Sequence, residues 1–287
     1  MIVSRSHYQL SLPHKTLVLG KHTLIMGVLN ITPDSFSDGG KFFSLAKAVD
    51  RALELESQGA NILDIGGESS RPGAETITLD EELERVIPVI EALSGKIKIP
   101  ISIDTYKSEV ARQAIKAGAE IVNDISAFRL DQEMPKVILE TGAAICLMHM
   151  RGNPKIMQKL PPSNDIWQEI EDYFSLTIKE IQDIGISLDK IIIDPGIGFG
   201  KTTLDNCKIL AEQSRLTKFN LPVLIGTSRK SFIGAILNKN TEDRLMGTAA
   251  TVTTAILQGA HIVRVHDVAE MVEIARVTDA ILNAINL

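Results

Sequence analysis

Cysteine is scarce in this chain of 287 residues. Only Cys146 and Cys207 occur. Two thiols exclude a disulfide-stapled scaffold, and a reducing cytoplasm is the default expectation. Charge of one sign is not dominant either: 30 Lys and Arg stand against 36 Asp and Glu, a formal net charge of −6. Such mild acidity argues against a nucleic acid or an anionic membrane gripped by bulk charge. An anionic substrate would have to meet local cations. No continuous apolar stretch of signal-peptide length opens the chain. The longest uncharged stretch, Leu245 to Val263, holds four threonines, two glycines, Gln258 and His261. It reads as a buried helix, a turn and a strand rather than a membrane span. HExxH and CxxC patterns are missing, and His149 and His266 are far apart in sequence, so no structural zinc is expected. No linker, low-complexity segment or charge block divides residues 1–287, which are read as one domain.

What the chain does contain is one repeating unit. Short β-branched runs begin at Leu24, Asn61, Ile99, Glu120, Ala143, Lys190, Pro222 and His261. Their near-continuous apolarity suits strands covered on both faces, as in a parallel sheet. Helical patterns lie between them. Leu45, Ala48, Val49, Ala52 and Leu53 form a stripe of period 3.6, with Ser44 expected as its N-cap and Gly59 as its C-cap. Thr78 and Glu81 suit a capping box before Leu83, Val86, Ile87 and Ile90. Pro88 should kink that helix or lie in its early turns. Val110, Ala111, Ala114 and Ile115 precede Gly118, and Ile274, Val277, Ile281 and Leu282 mark a final helix. Eight β–α units of roughly 30–40 residues make up a (β/α)8 TIM barrel. A doubly wound sheet is the rival, because it uses the same unit. Residues 8–19, with Pro13 at a turn, are expected to form a short N-terminal β-hairpin within an extension over residues 1–20, closing the barrel bottom.

In such a barrel the chemistry sits at the C-terminal strand ends. Those ends here are Asn30, Asp64, Asp104, Asn123 with Asp124, His149, Asp194, Gly226 with Ser228, and Arg264 with His266. Alternation places Arg264 and His266 on one face and Val263 and Val265 on the other. Together they predict a polar mouth. The segment from Asp194 to Thr202 looks like a phosphate loop, but Pro195 and Lys201 occupy positions where the P-loop and Rossmann patterns need glycine. It reads as a tight βα turn or a backbone-lined edge of the mouth. Cys146, inside an apolar strand, is expected in the core, and Cys207 on a helix. Met148, at a strand end, could support a flat ring.

These segments, taken in order, match a known family. Residues 26–40 (MGVLNITPDSFSDGG) and 64–73 (DIGGESSRPG) resemble two signatures of the dihydropteroate synthases, a pterin-binding family. Further matches are ISIDTYK at 101–107, VNDI at 122–125, LMHMRG at 147–152, DPGIGFGK at 194–201, GTSRKSFIG at 226–234 and RVHDV at 264–268. One departure is visible: the family often has Ser-Thr-Arg-Pro where this chain has Ser69-Ser70-Arg71-Pro72. Altered loop packing is expected from it, not a changed reaction.

The resemblance implies a transferase of folate biosynthesis. It joins 6-hydroxymethyl-7,8-dihydropterin diphosphate to p-aminobenzoate, releases pyrophosphate, and uses Mg2+. It also implies site residues. Asp104, Asn123, Met148, Asp194, Gly226 and Lys230 would bind the pterin. Asn30, Ser70, Arg71, Arg264 and His266 would bind the diphosphate, with Asn30 also a Mg2+ ligand. Phe36, Pro72, Phe199, Lys230 and Ser231 would bind p-aminobenzoate, and Asp104, Lys230, Arg264 and His266 would be catalytic. Departure of the diphosphate builds negative charge on oxygen and positive charge on the pterin methylene, so preorganised charges of both signs suit an ionisation-first, SN1-like displacement. Pterin first, p-aminobenzoate second is the expected order, and sulfonamides are expected inhibitors. The family suggests a homodimer, with an apolar helix face near residues 249–257 as a contact. Two rivals share the pterin residues: a methyltetrahydrofolate-dependent corrinoid methyltransferase and a non-catalytic pterin-binding subunit.

Overall fold

A computed structural model describes residues 3–31, 40–69 and 76–285. Strands β1 (Tyr8–Ser11) and β2 (Thr16–Leu19) pair antiparallel with Tyr8 opposite Leu19. This is the expected hairpin, with Pro13 in its turn. Eight further strands follow: β3 (Leu24–Asn30), β4 (Ile62–Gly66), β5 (Ile101–Asp104), β6 (Ile121–Asp124), β7 (Ala144–Met148), β8 (Ile191–Asp194), β9 (Leu224–Ile225) and β10 (Ile262–Val265). All their pairings are parallel and, apart from the β3–β10 pair, join neighbours in chain order. The ring is completed between β8 and β9 by a single bridge, Ile193 to Val223, with Ile193 N donating to Pro222 O at 3.0 Å. This is the TIM barrel, not the open doubly wound sheet.

Helices α1 (Gly40–Ser57), α2 (Leu79–Leu93), α3 (Ser108–Ala117), α4 (Met134–Thr141), α5 (Ile166–Ile184), α6 (Thr203–Ala211), α7 (Ser231–Leu237), α8 (Leu245–Leu257) and α9 (Val268–Ile285) form the connections. Ser44 lies inside α1, not at its N-cap as the apolar stripe suggested. A stripe marks where packing begins, and a helix can run a turn beyond it. Gly59 does close α1. At φ +104° it donates to Glu56 O, while Ala60 N donates to Leu55 O, the crossed pattern of a left-handed stop. The capping box is present: Thr78 Oγ1 accepts from Glu81 N at 3.2 Å, and Glu81 Oε2 accepts from Thr78 N at 2.8 Å. Helix α2 continues unbroken through Pro88, so that proline is interior rather than in the first turns.

Two apolar layers hold the barrel. One lies between strands and helices and includes Val263, Val265, Leu63, Ile103 and Ile145. The other lies inside the cylinder, where Met26, Ile62, Ile121, Cys146, Ile192 and Ile262 meet Leu10, Leu12 and Leu19 of the hairpin. The hairpin therefore seals the bottom. Alternation then fixes what stands above this floor. Two residues beyond each inward apolar side chain lies the next inward one: Asp64 above Ile62, Asn123 above Ile121, Asp194 above Ile192, Arg264 above Ile262. The lower interior is oily and the upper interior is charged because the strands cross that boundary together. Most of the face suggested as a dimer contact is buried by the chain itself, since Ala249, Val252, Ala255 and Ile256 are core. Exposed apolar side chains nearby include Ile236, Leu237, Met246, Val277 and Ile281.

Candidate active site

The strand ends enclose a narrow inner chamber that opens into an outer basin. Asp104, Asn123, Met148, Asp194, Gly226, Lys230, Arg264, His266 and Phe199 all line the chamber. The basin, about 350 Å3, is bordered by Asn30, Phe199, Lys230, Ser231, Arg264 and His266. That volume suits a small organic ligand. Phe36, Ser70, Arg71 and Pro72 lie outside the described residues. Three strand-end residues do not line the mouth: Asp64, buried inside the cylinder, His149 and Asp124. His149 is buried with its ring edge-on to Tyr173, 4.8 Å between centroids. Asp124 turns outward and accepts from Ser126 N and Phe128 N, closing the loop after β6.

A charged network spans the chamber. Arg264 donates from Nε to Asp64 Oδ2 and from Nη2 to Asp104 Oδ2, each at 2.6 Å. Asn123 Nδ2 donates to the same Asp64 oxygen at 3.2 Å. Burial pushes the Asp104 carboxyl up to about 7, against the pull of Arg264 and with help from Asp64. Burial also raises Asp194, whose Oδ1 accepts from Gly196 N at 2.7 Å. Burial opposes the charge of Arg264, but Asp64 and Asp104 outweigh it and hold the guanidinium firmly protonated. Lys230 Nζ donates to Ile197 O at 2.7 Å and stands 4.1 Å from the centre of the Phe199 ring. Burial lowers this lysine to about 8, with Asp194 pulling the other way. His266 Nδ1 is 3.0 Å from Ser228 Oγ, which also accepts from His266 N.

One wall is apolar. Ile125, Met148, Met157 and Phe199 cluster there, opposite the charged network. The glycine-rich segment after β8 is indeed a tight turn, with Gly196, Gly198 and Gly200 all at positive φ. At Gly196 a Cβ would stand 2.0 Å from His149 O, which no side chain tolerates. Lys201, buried beneath the turn, donates to His149 O and Phe199 O, both at 3.2 Å. Burial lowers Lys201 to about 7 despite Asp194. In the sequence Lys201 carries no site role, and Asp64 counts only as one of the polar strand ends. Lys201 ends a quoted motif and Asp64 ends a strand, but their partners are distant in sequence. Among the described residues no group of three or more His, Cys, Asp or Glu could hold a metal ion, and no helix is long and apolar enough to cross a membrane.

The fold and site define a (β/α)8 barrel whose C-terminal mouth sets a charged network against an apolar wall. Comparisons with known proteins specify the class. The pterin-binding enzyme family matches residues 26–266. The dihydropteroate synthase of Synechocystis is 50% identical over 263 residues, 91% of this chain and 91% of that protein. The Xanthomonas albilineans dihydropteroate synthase with 4-aminobenzoic acid superposes with a TM-score of 0.89 at 39% identity, covering 96% of this chain and 98% of the other. The Yersinia pestis dihydropteroate synthase in a sulfonamide drug complex gives a TM-score of 0.88 at 42% identity, covering 95% and 98%. The chain belongs to the pterin-binding enzymes, and within them to the dihydropteroate synthases, transferases of folate biosynthesis.

Proposed function

We propose that the inner chamber holds the ring of 6-hydroxymethyl-7,8-dihydropterin diphosphate while the basin holds its diphosphate and p-aminobenzoate. The carbon–oxygen bond from the pterin methylene to the diphosphate breaks, and a carbon–nitrogen bond to the amine forms. The amine gives up one proton, and the products are 7,8-dihydropteroate and pyrophosphate. The single observation that carries this reading is the convergence of Asp104, Asn123, Asp194, Lys230, Arg264 and His266 on one chamber.

Asn123 and Asp194 read the hydrogen-bonding edge of the pterin, and Lys230 donates to a ring acceptor. Met148 supports the ring, and Gly226, without a side chain, leaves space beside Arg264. Asp104 faces the ring as an anion and stabilises positive charge as the methylene ionises, which favours the SN1-like route. Arg264 and His266 hold the diphosphate with Ser70 and Arg71. Phe36, Pro72 and Phe199 flank p-aminobenzoate, whose carboxylate lies near Ser231 and Lys230. The amine needs no strong base, because it attacks an electron-poor carbon.

Asn30 borders the same basin as Arg264 and His266. One amide oxygen, completed by diphosphate oxygens and water, fits the preference of Mg2+ for oxygen ligands outside a dedicated carboxylate cage. Mg2+ bound there would neutralise charge on the diphosphate oxygens. A cytoplasmic setting agrees with the two free cysteines. Dimer formation would use the exposed apolar side chains Met246, Val277 and Ile281 on α8 and α9.

Pyrophosphate release tests the reading. Mixing the pterin diphosphate, p-aminobenzoate and Mg2+ with the protein should release pyrophosphate and form dihydropteroate together. Absence of pyrophosphate, or methyl transfer from methyltetrahydrofolate to a corrinoid, would overturn it.

A further inference from the structure

One carboxylate in the barrel has no task in this chemistry. Asp64 is fully buried on β4 and does not line the chamber. Its Oδ2 receives both Arg264 Nε and Asn123 Nδ2, while its Oδ1 has no hydrogen-bond partner. A carboxylate paired with a guanidinium can only accept hydrogen bonds. The Asn123 amide therefore turns its NH2 toward Asp64, and its carbonyl is the end left for the chamber that Asn123 lines. The opposite orientation would set two oxygens about 3.2 Å apart, a repulsive contact with a buried charge. Asp194 adds a second acceptor to the same chamber. The Arg264 pairing keeps Asp64 in place, since it spans strands β4 and β10.

We infer that Asp64 is a specificity-determining positioning residue, which acts through Asn123 to set the hydrogen-bonding polarity of the chamber. By holding the amide NH2 below, it makes the chamber present acceptors and select a heterocycle whose edge donates. The 2-amino-4-oxo edge of a pterin donates; the 2,4-dioxo edge of a lumazine offers a carbonyl where the pterin offers an amine. The inference rests on the assignment of Asn123 to the pterin given above. A buried polar group left facing the wrong partner discriminates strongly, which is why one amide orientation is enough to matter.

The test compares dissociation constants for 6-hydroxymethylpterin and 6-hydroxymethyllumazine, measured by calorimetry on the full chain. Wild type should prefer the pterin by about 100-fold or more. Asp64→Val, a strand-forming change that removes the acceptor, should cut the preference below about tenfold, chiefly through lost pterin affinity. Asp64→Asn should retain the preference to within about threefold, because its carbonyl can still accept the Asn123 NH2. A purely structural role would weaken both ligands alike. An unchanged ratio in Asp64→Val, or its collapse in Asp64→Asn, overturns the inference and leaves the pterin assignment standing. Absence of any preference in wild type overturns the pterin assignment itself. Should Asp64→Val not fold, a neutron structure of the wild-type pterin complex decides the matter: deuterons of the Asn123 amide on Asp64 support the inference, and deuterons on the ligand refute it.

Discussion

Arg264→Lys isolates what the guanidinium fork does. Arg264 makes two charge-assisted bonds at 2.6 Å, one to Asp64 and one to Asp104. Its side chain is only 20% exposed, and those of its partners are 0% and 11% exposed, so solvent screens these contacts little. A lysine ammonium is a single point and cannot reproduce a planar fork that spans both carboxylates. With the ammonium held between the carboxylates, one charged hydrogen bond that the fork would give the diphosphate is lost, about 1.5–3 kcal/mol. At about 1.4 kcal/mol per tenfold, kcat/KM for the pterin diphosphate should fall about ten- to hundredfold. The fold should survive, because a cation remains between the two carboxylates. Arg264→Ala removes that cation and strands both of them, at a cost to stability of about 3–5 kcal/mol. Steady-state pyrophosphate release measures the first effect and urea unfolding the second. A lysine variant whose kcat/KM lies within about twofold of wild type would refute the argument that the fork, rather than the charge, is what the site needs.

The pH dependence follows from the two buried titrating groups. Asp104 must be ionised and Lys230 protonated, so kcat/KM should peak between about 7 and about 8. Lys230→Arg should remove the alkaline limb, and a profile unchanged by it would detach Lys230 from that limb. Because the folded state holds the Asp104 proton more tightly than the unfolded chain, this group's contribution to stability should fall as pH rises from the ordinary carboxylate range through about 7. Urea midpoints across that range should be flatter in Asp104→Asn. Phe199→Ala deletes the ring beside Lys230 and should raise KM for p-aminobenzoate about tenfold or more with a smaller effect on the pterin substrate. Sulfonamides should compete with p-aminobenzoate in steady-state inhibition assays, and should bind tightly only after pterin diphosphate or pyrophosphate. Thr78→Ala removes the capping box of α2 and should cost about 1 kcal/mol in chemical denaturation, without altering turnover.

Much of this molecule is written locally. The strands, most helices and the inward faces of Asn123 and Arg264 follow from apolar runs and from periods of two and 3.6 residues; the capping box follows from the Thr78–Glu81 spacing and the hairpin from the turn at Pro13. Those periods are fixed by backbone geometry, so they survive in the linear sequence. Ser44 marks the limit of that reading: an apolar stripe reports which turns pack, not where the hydrogen-bonded helix begins.

The electrostatics arise from contacts between distant strands. Asp64 and Asp104 meet Arg264 across separations of 200 and 160 residues, and nothing in a periodic pattern announces that pairing. Lys201 and His149 are polar in sequence, yet they are buried beneath the turn at Gly196, where they support the wall that carries Phe199. The values near 7 and 8 for Asp104 and Lys230 arise from burial among opposed charges. Desolvation depends on how the cylinder closes, and closure brings together strand ends that the chain keeps far apart. Residue order along each strand sets which side chains can reach the rim; closure of the cylinder sets which of them share a charge.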